Sequence, residues 1–226
     1  MARLNVKDFF KQAHVGKDMY VIAGGASLNY VNPNFFDDKI TIGLNQSFSK
    51  FKHCTYYLKK DGAEWQGRNI VTHVREVSPE SKIIMSDYHG CAKEWGQNIF
   101  DIEFDYYYFD HPCGHGELDI SVLPRIIDEG VFPNGMSITS IGIAMAAFMG
   151  AKNIIVCGMD ACFLDDKDYF DEYVDHYECP TNHSSCLSYE SNQAIEVSNY
   201  LRGKGINIIG FNPFINLLLE GHRYHV

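Results

Sequence analysis

The chain has 226 residues, 46% of them hydrophobic, which is enough for one α/β core, and no low-complexity stretch divides it. Its 29 acidic against 19 basic residues leave a formal charge of −10, which excludes a nucleic-acid-binding surface while leaving room for a local basic pocket. The segment Met1 to Lys11 lacks the apolar core of a signal peptide, and a cytoplasmic protein is expected. The cysteines at 54, 91, 113, 157, 162, 179 and 186 are odd in number and scattered, which suits reduced thiols better than a disulfide framework.

In chain order, Lys7 to Ala13 reads as a first helix. Met19 to Ile22 is an apolar strand that breaks into Ala23-Gly-Gly-Ala-Ser27, a strand-loop-helix outline. Gly24, Gly25 and Ala26 permit close backbone approach there, and Ser27 can cap the following helix, whose N-terminal amides favour an anion. The turn is not a GxGxxG fingerprint and lacks the lysine of a P-loop, so a tight β-to-α turn explains it equally.

A second strand, Lys39 to Leu44, ends in Asn45-Gln46, and a third, Cys54 to Leu58, ends in Lys59-Lys60-Asp61. Amides at Asn45 and Gln46 suit a base or a sugar hydroxyl, and Asp61 suits a ribose, a metal or a helix cap. Polar groups at successive strand ends point to one shared crevice. Further strands are read at Asn69 to Val74, Lys82 to Met85 and Asp105 to Phe109; the aromatic run Tyr106 to Phe109 could pack at an edge or cover a homo-oligomer interface.

From Asp110 to Asn134, glycines and prolines interrupt a short helix around Ile120 to Ile127. Ser137-Ile-Thr139-Ser140 then caps an apolar, alanine-rich helix that Gly150 closes, and Asn153 to Cys157 is a strand apolar on both faces, as a covered parallel strand must be. Asp160 stands at that strand's end, where open α/β sheets keep their ligands, or simply caps the next turn.

Residues 161 to about 187 read as an active-site lid. Asp165, Asp166 and Asp168 lack the glycine and terminal glutamate of an EF-hand. A zinc site can be drawn from His111, Cys113 and His115, or from Cys179, His183 and Cys186, but neither set has a Cys-x-x-Cys pairing, and no metal is expected. His183, just before a helix over Ser188 to Arg202, is the candidate general base. A last strand, Ile206 to Gly210, leads to Asn212, Pro213 and a short apolar helix.

The order of "VIAGGASL", "IGLNQSF", "SITSIGIAMAAFMGAKNIIVCGMD", a histidine-bearing lid and "INIIGFNPFINLL" resembles the bacterial lipooligosaccharide sialyltransferases (glycosyltransferase family 42-like) and the related DUF115 group. That group also includes flagellin-modifying glycosyltransferases and archaeal 6-hydroxymethylpterin pyrophosphokinases. The likeness runs from Met19 to Leu218 through short motifs.

The resemblance implies an α/β, single Rossmann-like domain over 1–226. It has a mostly parallel sheet, helices on both faces and a lid-like insertion after the strand ending at Asp160. It further implies that Gly24, Gly25, Ser27, Asn45 and Gln46 bind nucleotide, that Ser137, Thr139, Ser140 and Tyr169 help, and that His183 acts as base without a metal. Three positions depart from the family: its asparagine in the glycine turn is Gly24 here, its arginine before Ile-Thr-Ser is Ser137, and the first of its two phosphate-binding tyrosines is Cys162, with Tyr169 standing in for the second. These exchanges remove donors to the phosphate.

Three functions are therefore weighed. The first is transfer from a nucleotide-activated sugar, such as a CMP-sugar, to a glycan hydroxyl, with Asp160 and His183 at the reacting centre and no cofactor. The second is a pyrophosphokinase-like enzyme with Mg²⁺ held by Asp61 and Asp160. The third is a binding protein that kept the scaffold and lost the chemistry.

Overall fold

The computed structural model describes residues 4–60, 65–86, 104–111, 120–133, 136–173, 183–211 and 214–225. In chain order the strands are β1 (Leu4–Asn5), β2 (Asp18–Ile22), β3 (Ile40–Leu44), β4 (Tyr56–Lys59), β5 (Lys82–Ser86), β6 (Tyr106–His111), β7 (Val131–Pro133), β8 (Asn153–Cys157), β9 (Phe163–Leu164), β10 (Asn207–Phe211) and β11 (Tyr224–His225). The helices are α1 (Val6–Phe9), α2 (Trp65–Val77), α3 (Leu123–Glu129), α4 (Ile138–Phe148), α5 (His183–Gly203) and α6 (Phe214–Leu219).

Nine strands form one sheet in the order β1-β6-β5-β4-β3-β2-β8-β10, with β7 also on β6, beyond β1. Every pairing within it is parallel. Parallel sheets need cover on both faces, and successive side chains obey this. Met19 and Val21 of β2 enter a cluster under α3, α4 and α5, while Ile22 enters a second cluster under α2 and the 3₁₀ segments. The chain proceeds outward from β2 to β6, then returns to place β8 and β10 on the other side of β2. That reversal between β2 and β8 is the crevice in which Rossmann-like sheets bind ligands.

Helix α4 is buried from Thr139 to Phe148. It lies so close to the sheet that a Cβ on Gly142 would stand 3.0 Å from Val21 Cγ1 and 3.1 Å from a Leu44 methyl. The expected cap is present: Ser137 Oγ accepts from the Ser140 N–H at 3.2 Å. Gly150 closes the helix in the left-handed region, at φ 89°, which only glycine adopts without cost.

Several expectations are corrected. Asn69 to Val74 is not a strand but part of α2; the buried pair Val71 and Val74, three apart with exposed residues between, is a helical stripe. The first helix covers Val6–Phe9 rather than Lys7 to Ala13, because Gln12 takes a left-handed φ of 60°. The glycine turn leads into two 3₁₀ segments, Ala26–Tyr30 and Pro33–Phe36, not into an α-helix. Asn32 precedes a proline and is extended, with ψ 128°, which stops helical propagation. The last helix before β10 begins at His183, five residues earlier than read from the sequence.

Residues 161–173 fold down onto the body. Phe170 is 1% exposed, its N–H donates to Gly24 O at 3.1 Å, and β9 pairs antiparallel with the C-terminal β11. Asp165 secures that pairing by accepting from the Arg223 N–H at 2.9 Å and from His222 Nδ1 at 2.5 Å. Among the described residues, no helix is long and apolar enough to cross a membrane.

Candidate active site

Three strand ends meet at the reversal point: Ala23 to Gly25 after β2, Asn45 after β3, and Gly158 to Cys162 after β8. Together with Ile138 and Thr139 of α4, Asp168, Tyr169, Tyr173 and Ser191 they line a cavity of about 140 Å³.

The floor is held by an interaction across 133 residues of sequence. Asp160 Oδ2 accepts from the Ser27 backbone N–H at 2.7 Å, and Oδ1 accepts from Ser27 Oγ at 2.6 Å. The Asp160 carboxylate thus sits at the start of the 3₁₀ segment, where an anion was expected, and Ser27 donates to it rather than capping a helix or lining the cavity. Burial pushes the Asp160 carboxyl above the ordinary carboxylate value, and the two bonds from Ser27 oppose this. Gly25 makes the contact possible: its N–H donates to Gly158 O at 2.8 Å. A Cβ there would stand 2.5 Å from that oxygen and 2.6 Å from the Asp160 carboxylate.

Asn45 closes one wall in a left-handed turn, φ 49°, a conformation asparagine tolerates better than most residues. Its Oδ1 is buried and has no hydrogen-bond partner in the described structure. Leaving a buried acceptor unmade costs on the order of 1–3 kcal/mol. The opposite wall is aromatic: Tyr169 stacks on Tyr173 with ring centroids 4.3 Å apart and planes 10° apart. A Cβ on Gly24 would already lie 3.0 Å from the Tyr173 ring and 3.2 Å from the Tyr169 ring. An asparagine at that position would therefore crowd this tyrosine pair.

The described lining contains the carboxylates of Asp160 and Asp168 and no lysine or arginine. Positive potential comes from α4, whose first-turn residues Ile138 and Thr139 face the cavity; a helix N-terminus carries roughly half a positive charge. The Lys60 ammonium anchors this end by donating to Met136 O at 2.9 Å, and the Ser137 N–H donates to Gln193 Oε1 on α5 at 2.7 Å.

Of the residues singled out from the sequence, Gly24, Gly25, Asn45, Thr139, Asp160 and Tyr169 converge on the cavity. Ser137 and Ser140 stand behind it, with Ser137 Oγ donating to Ser140 Oγ at 2.9 Å. Gln46 precedes a 3₁₀ turn and is not among the lining residues. Asp61 lies outside the described residues, and so do Cys113, His115, Cys179 and the side chains of His111, His183 and Cys186. The backbone still places His183. Helix α5 lines the cavity at Ser191 and continues two turns beyond it to its first residue, His183, about 12 Å further along the axis. Sequence reasoning missed Tyr173, Ser191 and Met159. The spacing of Tyr169 and Tyr173 was the one available signal, and a serine midway along a helix carries none.

No family model matches the chain, and no curated protein matches it in sequence. Solved structures match in fold. The sialyltransferase CstII from Campylobacter jejuni, in complex with the substrate analogue cytidine-5′-monophosphate, is 13% identical with a TM-score of 0.52, over 88% of this chain and 81% of that one. A sialyltransferase CST-II with a trisaccharide acceptor and CMP is 14% identical with a TM-score of 0.53, over 87% and 82%. CstII in complex with CMP-3FNeuAc is 14% identical with a TM-score of 0.50, over 88% and 82%. At this identity the likeness is one of fold.

Proposed function

We propose that the chain is a glycosyltransferase that binds a cytidine-type nucleotide sugar at the β2/β8 reversal and transfers the sugar to a hydroxyl of a glycan acceptor. The observation that carries this reading is the convergence of the glycine backbone at 24 and 25, Asn45, Tyr169 and the first turn of α4 on one cavity at the β2/β8 reversal. The Asn45 carboxamide carries both an acceptor and a donor, which suits the hydrogen-bonding edge of a pyrimidine base. The first turn of α4 attracts the phosphate, and Tyr169 donates its hydroxyl to it. His183 takes the proton from the acceptor hydroxyl as the acceptor oxygen bonds to the anomeric carbon, and the nucleotide leaves with the electrons of the bond it held. Asp160 holds the glycine turn in the shape that lets the donor approach. The fold shared with CMP-bound sialyltransferases supports the reading.

A second reading, Mg²⁺-dependent phosphoryl transfer, draws on the acidic lining. Asp160 and Asp168 would hold the cation there, and it would neutralise the phosphates. Each Asp160 oxygen accepts one bond from Ser27 and keeps a lone pair for a cation, so metal dependence is what separates the two readings.

A thermal-shift panel of CMP, CDP, UDP, GDP and ATP, each with and without Mg²⁺, separates the two. A ligand at one hundred times its Kd adds about 2.7 kcal/mol to the native state, which for a chain of this size raises Tm by roughly 5–10 °C. Stabilisation by CMP in the absence of metal, exceeding that by UDP, is the expected result. Stabilisation by ATP only with Mg²⁺ transfers the assignment to phosphoryl transfer, and no shift with any nucleotide refutes both.

A further inference from the structure

The aromatic wall of the cavity is a run of five residues, Tyr169-Phe-Asp-Glu-Tyr173. Its two ends line the cavity, and each of the three residues between them is fastened to the body. Phe170 enters the second core cluster and meets the Phe51 ring with centroids 6.4 Å apart. The Asp171 N–H donates to Asn29 Oδ1 at 2.8 Å, and Asn29 Nδ2 donates back to Asp171 Oδ1 at 3.4 Å. Glu172 Oε2 lies 3.7 Å from the Lys50 ammonium, which also donates to Asn29 O at 3.4 Å.

Both anchors come from outside the cavity. Asn29 belongs to the 3₁₀ segment Ala26–Tyr30, whose Ser27 holds Asp160 and whose Tyr30 hydroxyl donates to Asp165 Oδ2 at 3.2 Å. One short segment thus holds three aspartates of the chain that follows β8. The Lys50 side chain is only 6% exposed, and a lysine is rarely so covered unless its charge is paired. Ion pairs with one exposed member add little to stability, and the Glu172 side chain is 47% exposed, so what this pair fixes is position. The Lys50–Asn29 bond links the two anchors, and loss of either loosens both.

We propose that Asn29 and Lys50 are positioning residues of the nucleotide site. Without lining the cavity themselves, they hold residues 169–173 so that the Tyr169 hydroxyl meets the phosphate, an assignment that rests on the nucleotide reading of the cavity. A binding group must be kept within about 0.5 Å of its productive place by the residues behind it. The stacked rings of Tyr169 and Tyr173 move together, so the anchors on Asp171 and Glu172 set both.

Asn29→Ala, Lys50→Met and Lys50→Arg are compared with the wild type, each alone and combined with Tyr169→Phe. Calorimetry measures CMP, which carries the phosphate, and cytidine, which lacks it. Hydrogen exchange of the ligand-free chain follows the amides of Phe170, Asp171 and Tyr173, and Tm is recorded for every variant. In Asn29→Ala and Lys50→Met those amides are expected to exchange at least about tenfold faster. CMP weakens by roughly fivefold or more, up to the worth of one hydrogen bond to a charged group, while cytidine changes by less than about twofold. Lys50→Arg, which keeps the charge, behaves as the wild type. In the Tyr169→Phe background neither substitution weakens CMP further, which is the coupling a double-mutant cycle detects. Glu172→Gln reaches the ion pair from its exposed side and decides the matter where Lys50→Met does not fold. Equal losses of CMP and cytidine, a CMP loss that persists in full with Tyr169→Phe, or unchanged exchange rates show a merely structural role and overturn the inference. A wild-type chain that binds neither CMP nor cytidine overturns the nucleotide reading and this assignment with it, whereas CMP binding without those differences overturns the assignment alone.

Discussion

Gly25→Ala tests the packing on which the cavity depends. The added methyl would stand 2.5 Å from Gly158 O and 2.6 Å from both Cγ and Oδ2 of Asp160, where about 3.5 Å is comfortable. About 1 Å of movement is required, and neither neighbour is free to give it. Gly158 O is fixed by the Gly25 N–H at 2.8 Å, and the Asp160 carboxylate is fixed by Ser27 at 2.7 and 2.6 Å. Relief by swinging Asp160 away breaks two hydrogen bonds to a charged group, each worth about 1.5–3 kcal/mol, and leaves the buried Ser27 N–H unpaired. Relief by shifting backbone costs about 1–3 kcal/mol, as overpacking generally does. The cheaper route wins, so a destabilisation of about 1–3 kcal/mol is expected in urea unfolding, with a fall in Tm of roughly 2–12 °C.

A double-mutant cycle with Asp160→Ala sharpens the test. With the carboxylate gone, two of the three close contacts vanish, and the cost of Gly25→Ala should shrink by at least about 1 kcal/mol relative to its cost in the wild type. A Gly25→Ala variant within 0.5 kcal/mol of wild type, on the scale of an ordinary surface change, or strict additivity with Asp160→Ala, would refute the close approach of the two strand ends.

Three further outcomes are expected. His183→Ala lowers turnover by about a hundredfold or more, the usual worth of a positioned general base, while leaving the CMP-induced thermal shift intact; equal turnover removes His183 from the mechanism. Tyr169→Phe weakens nucleotide binding by roughly tenfold in calorimetry, the value of one hydrogen bond to a charged group, and wild-type affinity would show that the ring alone is used. The β9–β11 pair responds to acid. Asp165 is held below the ordinary carboxylate value, first by the Arg223 N–H and then by His222, so its contribution is present above about pH 4 and is lost as pH falls through its lowered value. Hydrogen exchange at Tyr224 should rise below that pH in the wild type and be raised already at pH 7 in Asp165→Ala; protection that does not change with pH overturns the role of Asp165.

Seven of the nine strands of the sheet were legible as short apolar runs, whereas β1 (Leu4–Asn5) and β7 (Val131–Pro133) are too short to show a pattern and β7 lies in a stretch read as irregular. The end of β8 could be read as a site from Gly158 and Asp160 alone. Helix α2 misled because Val71 and Val74 sit in a run whose charged residues hide the three-residue spacing. The 3₁₀ segments after the glycine turn depend on Asn32-Pro33, a breaker that can be read locally but was outweighed by the strand-loop-helix outline. The partner of Asp160 could not be read at all. Ser27 stands 133 residues away, and nothing local distinguishes a serine that donates to a carboxylate from one that caps a helix.

The pairing of β2 with β8 joins Asp18 to Asn153 and Ile22 to Cys157, and it sets an order of events during synthesis. A ribosome adding about 5–20 residues per second needs on the order of ten seconds to pass from one strand to the other. Throughout that interval β2 to β6 can assemble, yet one side of β2 has no neighbour and the Ser27 N–H has no acceptor. The nascent half-sheet therefore presents an apolar, hydrogen-bonding edge to its surroundings until β8 emerges, the kind of exposure for which chaperones compete. Ribosome-bound chains stalled shortly before and shortly after residue 157 has cleared the exit tunnel should accordingly differ sharply in protease resistance and in chaperone occupancy, with the ligand-binding crevice arising in the same step that seals the sheet.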